Sequence, residues 1–205
     1  MAFLRIIFFI IALLMSGVVQ AQVSEKMTKA FAESLVLEKD KKYAEAASKL
    51  SEAYNKDSYE CNLRLGWLFY NAGMYPESEN YYQRSIELMP YSVEPKLGLV
   101  LPKSARNKWD EVETLYKKIL GVMPDNTYVL YNLGLIYYNR GDYNAANPLL
   151  QKIINLYPTD YDSVLLFGWN NLKLGKFHEA KLMFQKVLLL YPGDASATEG
   201  LKLIK

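Results

Sequence analysis

An all-α solenoid, about five helical hairpins stacked side by side and closed by a short C-terminal helix, is the fold this sequence predicts. Two periodic features carry the prediction. Proline recurs at Pro90, Pro124, Pro158 and Pro192, a step of 34 residues each time. Aromatic residues keep the same frame at Tyr43, Tyr75, Trp109, Tyr143 and Phe177, with a first step of 32 and then 34 three times. Two further columns run in phase: Ala46, Ser78, Val112, Ala146 and Ala180, then Leu50, Tyr82, Tyr116, Leu150 and Phe184. A period this regular marks one supersecondary unit copied along the chain, each copy burying its neighbour's apolar face.

The N-terminus stands apart from this array. Met1–Arg5 carries one positive charge, Ile6–Val19 is nearly all apolar, and Val19-Gln20-Ala21 ends in a small residue. These are the three parts of a secretory signal peptide, with cleavage expected after Ala21. The rival reading is an uncleaved membrane anchor. As a helix rising ~1.5 Å per residue, Ile6–Val19 reaches roughly 21 Å, short of a hydrocarbon core about 30 Å thick. The expected organisation is therefore a signal peptide over residues 1–21 and a repeat domain over 22–205, exported to the periplasm or secreted. No stable membrane span is expected once the leader is removed.

The unit near Thr127–Asp160 shows how each copy is built. Leu130, Leu133, Ile136 and Tyr137 recur at helical spacing and predict a first helix over Thr127–Asn139. Gly141 then allows a sharp turn. A second helix, Tyr143–Leu156, presents Ala146, Leu150 and Ile153 on one face, and Pro158, lacking an N–H, follows its end. Asp160 is placed to cap the next helix. Gly66, Gly134 and Gly168 fall where the paired helices should cross closely, with Ala46 and Ala180 opposite. Phe69, Tyr137, Tyr82 and Phe184 fill the space around that contact.

The run Leu130-x2-Leu133-Gly134-x2-Tyr137, then Ala146-x3-Leu150, then Pro158 resembles the tetratricopeptide repeat (TPR) consensus. Asn62-x2-Leu65-Gly66-x2-Phe69 with Ser78-x3-Tyr82 and Pro90 is similar, as is Val164-x2-Phe167-Gly168 with Ala180-x3-Phe184 and Pro192, where Asn171 replaces an aromatic. The resemblance covers roughly Met27 to Asp194, in repeats of about 27–58, 59–90, 91–126, 127–160 and 161–194, with a capping helix over 195–205. It implies a right-handed α-solenoid that binds protein or peptide along a concave surface.

Two units depart from the pattern. The first has Ser34 in place of the glycine and Ser58 in place of the proline. In the third, Gly98 is two residues early and Pro102 falls inside the expected first helix, which predicts a short or kinked helix near Pro102. Pro148 interrupts a helix near its start, and Pro76 opens one. In the tail, Leu201, Leu203 and Ile204 are expected to face the last unit, with Thr198, Glu199, Lys202 and Lys205 outward.

Nothing in the sequence assembles chemistry. The single histidine, His178, opens a helix, and the single cysteine, Cys61, lies in an apolar-rich one where a packed thiol is expected. One His and one Cys make no Cys/His metal site, and there is neither a phosphate loop nor a G-x-S-x-G elbow. No cofactor and no enzymatic activity are expected. The chain carries 24 basic and 22 acidic residues, so losing Arg5 leaves a charge of +1 and no basic field for nucleic acid. The 17 tyrosines are the one compositional oddity, and most fall on repeat positions.

Function is then expected in the groove lined by the first helices. The frame turns Leu63, Trp67, Tyr70 and Asn71 of the second unit toward it, with Tyr128, Tyr131, Leu135, Tyr138 and Asn139 of the fourth and Leu165, Trp169 and Leu172 of the fifth. Arg64, Lys96, Asn132 and Asn170 form an expected polar strip beside them. The best-known TPR grooves hold a terminal carboxylate with a Lys/Asn/Arg clamp, whereas here Leu63 and Trp67, then Tyr131 and Leu135, stand where its lysine and asparagine would begin. Trp67 and Trp169 read as aromatic anchors, with packing between adjacent repeats as the competing reading for both. The expected partner is a segment of another envelope protein. Two alternatives stand: a glycan stacked on the aromatic faces, and oligomerisation through exposed repeat ends.

Overall fold

The computed structural model describes residues 25–204, so the leader reading for Met1–Ala21 and the outward placement of Lys205 lie outside the described residues. Among the described residues there are eleven helices and no strand. They pair as α1 (Glu25–Lys39) with α2 (Tyr43–Ser51), α3 (Tyr59–Asn71) with α4 (Tyr75–Leu88), and α5 (Glu94–Ala105) with α6 (Trp109–Val122). Next come α7 (Thr127–Asn139) with α8 (Tyr143–Leu156), α9 (Tyr161–Lys173) with α10 (Phe177–Leu190), and a final α11 (Ala195–Leu203). Each helix packs on its chain neighbours, and first helices also meet first helices, as α3 meets α5, α7 meets α9 and α9 meets α11. Contacts this local are those of a solenoid.

The turn inside each hairpin has one geometry. Gly73, Gly141 and Gly175 adopt φ of 75°, 79° and 73°, and Lys41 and Asn107 occupy the same left-handed position at 58° and 56°. Between hairpins, Ser58, Asn126, Asp160 and Asp194 cap the following helix through side-chain oxygens that accept the N–H of Cys61, Val129, Ser163 and Ala197. Ser58 thus belongs to the cap column rather than the proline column. The two-residue contraction of the first repeat goes with its short second helix, 9 residues in α2 against 14 in α4.

The core is divided into three successive clusters. The first holds Met27, Ala30, Ala46, Ala47, Leu50, Cys61, Leu65 and Leu68, the second centres on Tyr82, Val112 and Ile119, and the third on Leu150, Phe167 and Phe184. Cys61 is fully buried, and burial pushes its thiol up from the ordinary value, as befits a packed side chain. The crossing glycines all lie in close contact with the second helix of their hairpin. A Cβ on Gly66 would lie 2.8 Å from the Tyr82 ring, on Gly134 3.2 Å from Leu150, and on Gly168 2.9 Å from Phe184.

Gly98 makes the same kind of contact, from the other side. A Cβ there would lie 2.2 Å from Tyr82 Cε1, and one on Gly200, three repeats on, 2.4 Å from Phe184. Each large ring is wedged between a glycine of its own hairpin and one of the next. Pro102 does not shorten its helix: α5 runs on to Ala105, the position equivalent to Asn71 and Asn139. At the tail, Leu201 and Ile204 pack against the last core cluster, but Leu203 is 53% exposed, contrary to the expectation. Leu203 falls off the stripe of Ala197, Gly200, Leu201 and Ile204 that meets the rest of the array.

Candidate partner-binding groove

The first helices open a cavity of about 710 Å³ in the N-terminal half of the array. Phe31 of α1, Leu63 and Trp67 of α3, and Leu97 and Leu101 of α5 form its apolar lining, and Tyr82 of α4 reaches it from behind. Tyr59, Glu60, Arg64, Glu94, Gly98 and Tyr128 complete it. Trp67 is 40% exposed although its indole is fixed in place. Its Nε1–H donates to Glu38 Oε1 at 3.0 Å, and Arg64 Nη2 donates to the other oxygen of the same carboxylate at 2.7 Å. Arg64 Nε–H also donates to Ser34 Oγ at 2.9 Å. Partial burial alone would raise the Glu38 carboxyl, but the Trp67 and Arg64 hydrogen bonds outweigh it and hold the group below its ordinary 4.5. Ser34, in the crossing-glycine column of the atypical first repeat, therefore helps to orient Arg64.

Tyr70 lies beside Trp67 with the rings tilted and their centroids 6.3 Å apart, and Asn71 Nδ2–H donates to the Trp67 carbonyl at 2.8 Å. Tyr128 is 56% exposed and joins Tyr131 and Asn132 in lining a second cavity of about 470 Å³ with Asp160 and Asp162. Leu135 and Asn139 line a third, of about 390 Å³, with Trp109 and Arg140. Tyr138 packs edge-on to Tyr143 at 5.4 Å between centroids. The groove residues of the last repeat are more covered: Leu165 and Leu172 are half-buried against the third core cluster.

Three expectations for this surface are corrected. Lys96 is 4% exposed and its Nζ donates to the carbonyls of Pro90 and Ser92, at 2.5 and 2.7 Å, in the loop between hairpins. It shares its column with Asn62, Leu130 and Val164, all buried, and Asn62 likewise donates to the loop carbonyls of Lys56 and Ser58. Burial, with Lys118 nearby, pushes the Lys96 ammonium below its ordinary value. Asn170 is fully buried and donates to the Tyr143 carbonyl, in a column with buried Leu68 and Pro102. Trp169 is no free anchor: its ring meets Phe184 edge-on at 5.2 Å and its Nε1–H donates to Ser196 Oγ of α11. The capping helix closes the array over it.

The sequence reading missed Phe31, Tyr59, Leu97 and Leu101. The last two follow from the frame, 34 residues after Leu63 and Trp67. The displaced Gly98 and Pro102 had made α5 look out of register. Among the described residues no group of three or more His, Cys, Asp or Glu is placed to hold a metal.

Comparisons with known proteins agree with this architecture. The family model described as "Anaphase-promoting complex, cyclosome, subunit 3" matches residues 105–187. No curated protein matches the chain as a relative. Among solved structures, the chain is similar to a tetratricopeptide repeat protein from Parabacteroides merdae, with 17% identity and a TM-score of 0.74, covering 88% of this chain and 73% of that one. It is also similar to MamA from Desulfovibrio magneticus, with 18% identity and a TM-score of 0.71 over 84% of this chain and 99% of the other. A third likeness is to YrrB, described as "a TPR protein with an unusual peptide-binding site", with 21% identity, a TM-score of 0.67, and 78% and 81% of the two chains covered. The fold is a TPR-type α-solenoid, and the chain carries TPR-like repeats.

Proposed function

We propose that this chain is a non-enzymatic scaffold that grips a segment of another protein in the N-terminal half of its groove, and that it does so after export to the periplasm or the cell exterior. The observation carrying the reading is the cavity around Trp67. A large aromatic side chain stays partly exposed there while Glu38 locks its orientation, beside Leu63, Leu97 and Leu101. Rigid exposed aromatics lose little entropy on contact and are enriched at binding hot spots. The peptide-binding site in the description of YrrB supports a similar use of the fold. Among the described residues lining this cavity the one cation, Arg64, is already held by Glu38, which leaves it unsuited to a carboxylate clamp.

The test is site-specific photocrosslinking from position 101 in intact cells, with and without Trp67→Ala. The expected result is one protein crosslinked through one segment, with capture reduced about 30-fold by Trp67→Ala, the equivalent of ~2 kcal/mol. The circular dichroism melt should be unchanged. Capture of cell-wall glycan alone, or of nothing, sinks the reading. Sequencing the N-terminus of the isolated protein tests export, which predicts a new terminus after Ala21.

A further inference from the structure

The charges around the cavity say what the partner segment carries. Glu60, Glu94, Tyr128 and Asp162 fall in one column, 34 residues apart in the first turns of α3, α5, α7 and α9, and all four are exposed. An acid in the first turn favours its own helix through the macrodipole. The dipole does not require that these acids lack cations, yet among the described residues none of the three has a basic partner within 4 Å. Glu60 only accepts from Ser58 Oγ, and Glu94 from the Tyr59 hydroxyl. The one cation in the N-terminal cavity, Arg64, is already held by Glu38. Glu79 and Glu113, by contrast, each meet several cations. Glu60 and Glu94, the two acids that line the apolar cavity, are thus left without a cation among the described residues.

Resting on the groove reading above, we infer that the occupant is an extended protein segment in which an apolar or aromatic residue is flanked by lysine or arginine. The apolar residue enters between Leu63, Trp67, Leu97 and Leu101, while the flanking cations meet Glu60 and Glu94. Glu60 and Glu94 lie on packed neighbouring helices, whose axes are about 8–10 Å apart. An extended chain rises about 3.3 Å per residue, so the two basic residues are about three positions apart. The polarity is the reverse of a groove built to seize a carboxylate.

The test is fluorescence anisotropy with labelled synthetic 12-residue peptides, in which a central Leu or Phe lies between two Lys, two Gln or two Glu spaced three apart. The protein as purified from expressing cells should bind the Lys series about tenfold more tightly than the Gln series and bind the Glu series least. That preference should fade between 50 mM and 500 mM salt. Glu60→Gln with Glu94→Gln should remove about tenfold for the Lys peptides and leave the Gln peptides unchanged, as expected of two exposed ion pairs. Equal binding of the three series, a preference for Glu, or no binding of any series overturns the inference. Crosslinking from position 101 that still depends on Trp67 would then leave the groove standing without its charge preference.

Discussion

Tyr82 and Phe184 show how much one side chain dictates of its surroundings. Each ring lies directly against the backbone of both neighbouring first helices. A glycine therefore faces it on both sides, Gly66 and Gly98 for Tyr82, Gly168 and Gly200 for Phe184. Where Leu150 replaces the ring, the following first helix carries Leu166 in the corresponding column instead of glycine. Gly98→Ala would drive a methyl group to within 2.2 Å of a ring that is only 3% exposed, so the ring or the helix must shift. We expect a loss of about 1–3 kcal/mol in denaturant unfolding. Adding Tyr82→Leu should recover part of that loss, so that the double mutant is more stable than the sum of the singles. Strict additivity would mean that the wedge is not what requires glycine.

At the scale of elements, α5 contains Pro102 and loses one helical amide, yet it is firmly tied to its neighbours. Glu79 of α4 accepts from Lys103 at 3.1 Å, Arg106 at 2.8 Å and Lys108 at 3.1 Å, and Lys103 also pairs with Glu111 of α6. Burial alone would raise the Glu79 carboxyl, but the Lys103, Lys108 and Arg106 hydrogen bonds prevail and hold it below its ordinary 4.5. Its charge therefore stabilises the fold fully above pH 4.5, and that contribution is lost as pH falls through the lower folded value. Glu79→Gln should cost about 1–3 kcal/mol at pH 7. The gap from the parent protein should narrow progressively below pH 4.5. Thermal melts at pH 7 and pH 3.5 with the same gap would show that the network adds nothing.

For the whole molecule, three separate core clusters along a locally connected array mean that stability is distributed, with each hairpin depending on the next. Helix α11 is the last such support. It buries Ala197 and Gly200, covers Trp169, and its Asp194 cap accepts the Tyr161 hydroxyl at 2.7 Å. Truncation after Asp194 should raise hydrogen exchange in α9 and α10 by tenfold or more and leave α1–α4 nearly unchanged. A uniform rise across all helices would mean that the array folds as a single cooperative unit instead.

The 34-residue ladder, the hairpin within each period and the crossing glycines were legible because solenoid packing is a local, repeated constraint that imprints itself on every copy. The frame also carried Leu63, Trp67 and Tyr128 to the groove, and would have carried Leu97 and Leu101 had Gly98 not looked misplaced. What the period could not specify was the company each column keeps. Lys96 is charged but sits in a core column, where its ammonium reaches back to the carbonyls of the preceding loop. Trp67 and Trp169 are equivalent in the frame, and only the neighbour distinguishes them. Trp67 opens onto a cavity, while α11 lies against Trp169. The amino-acid sequence by itself determined the repeated unit and its number. Tertiary structure decided which equivalent side chains remain accessible, because exposure at the ends of an array depends on what stacks next rather than on the unit itself.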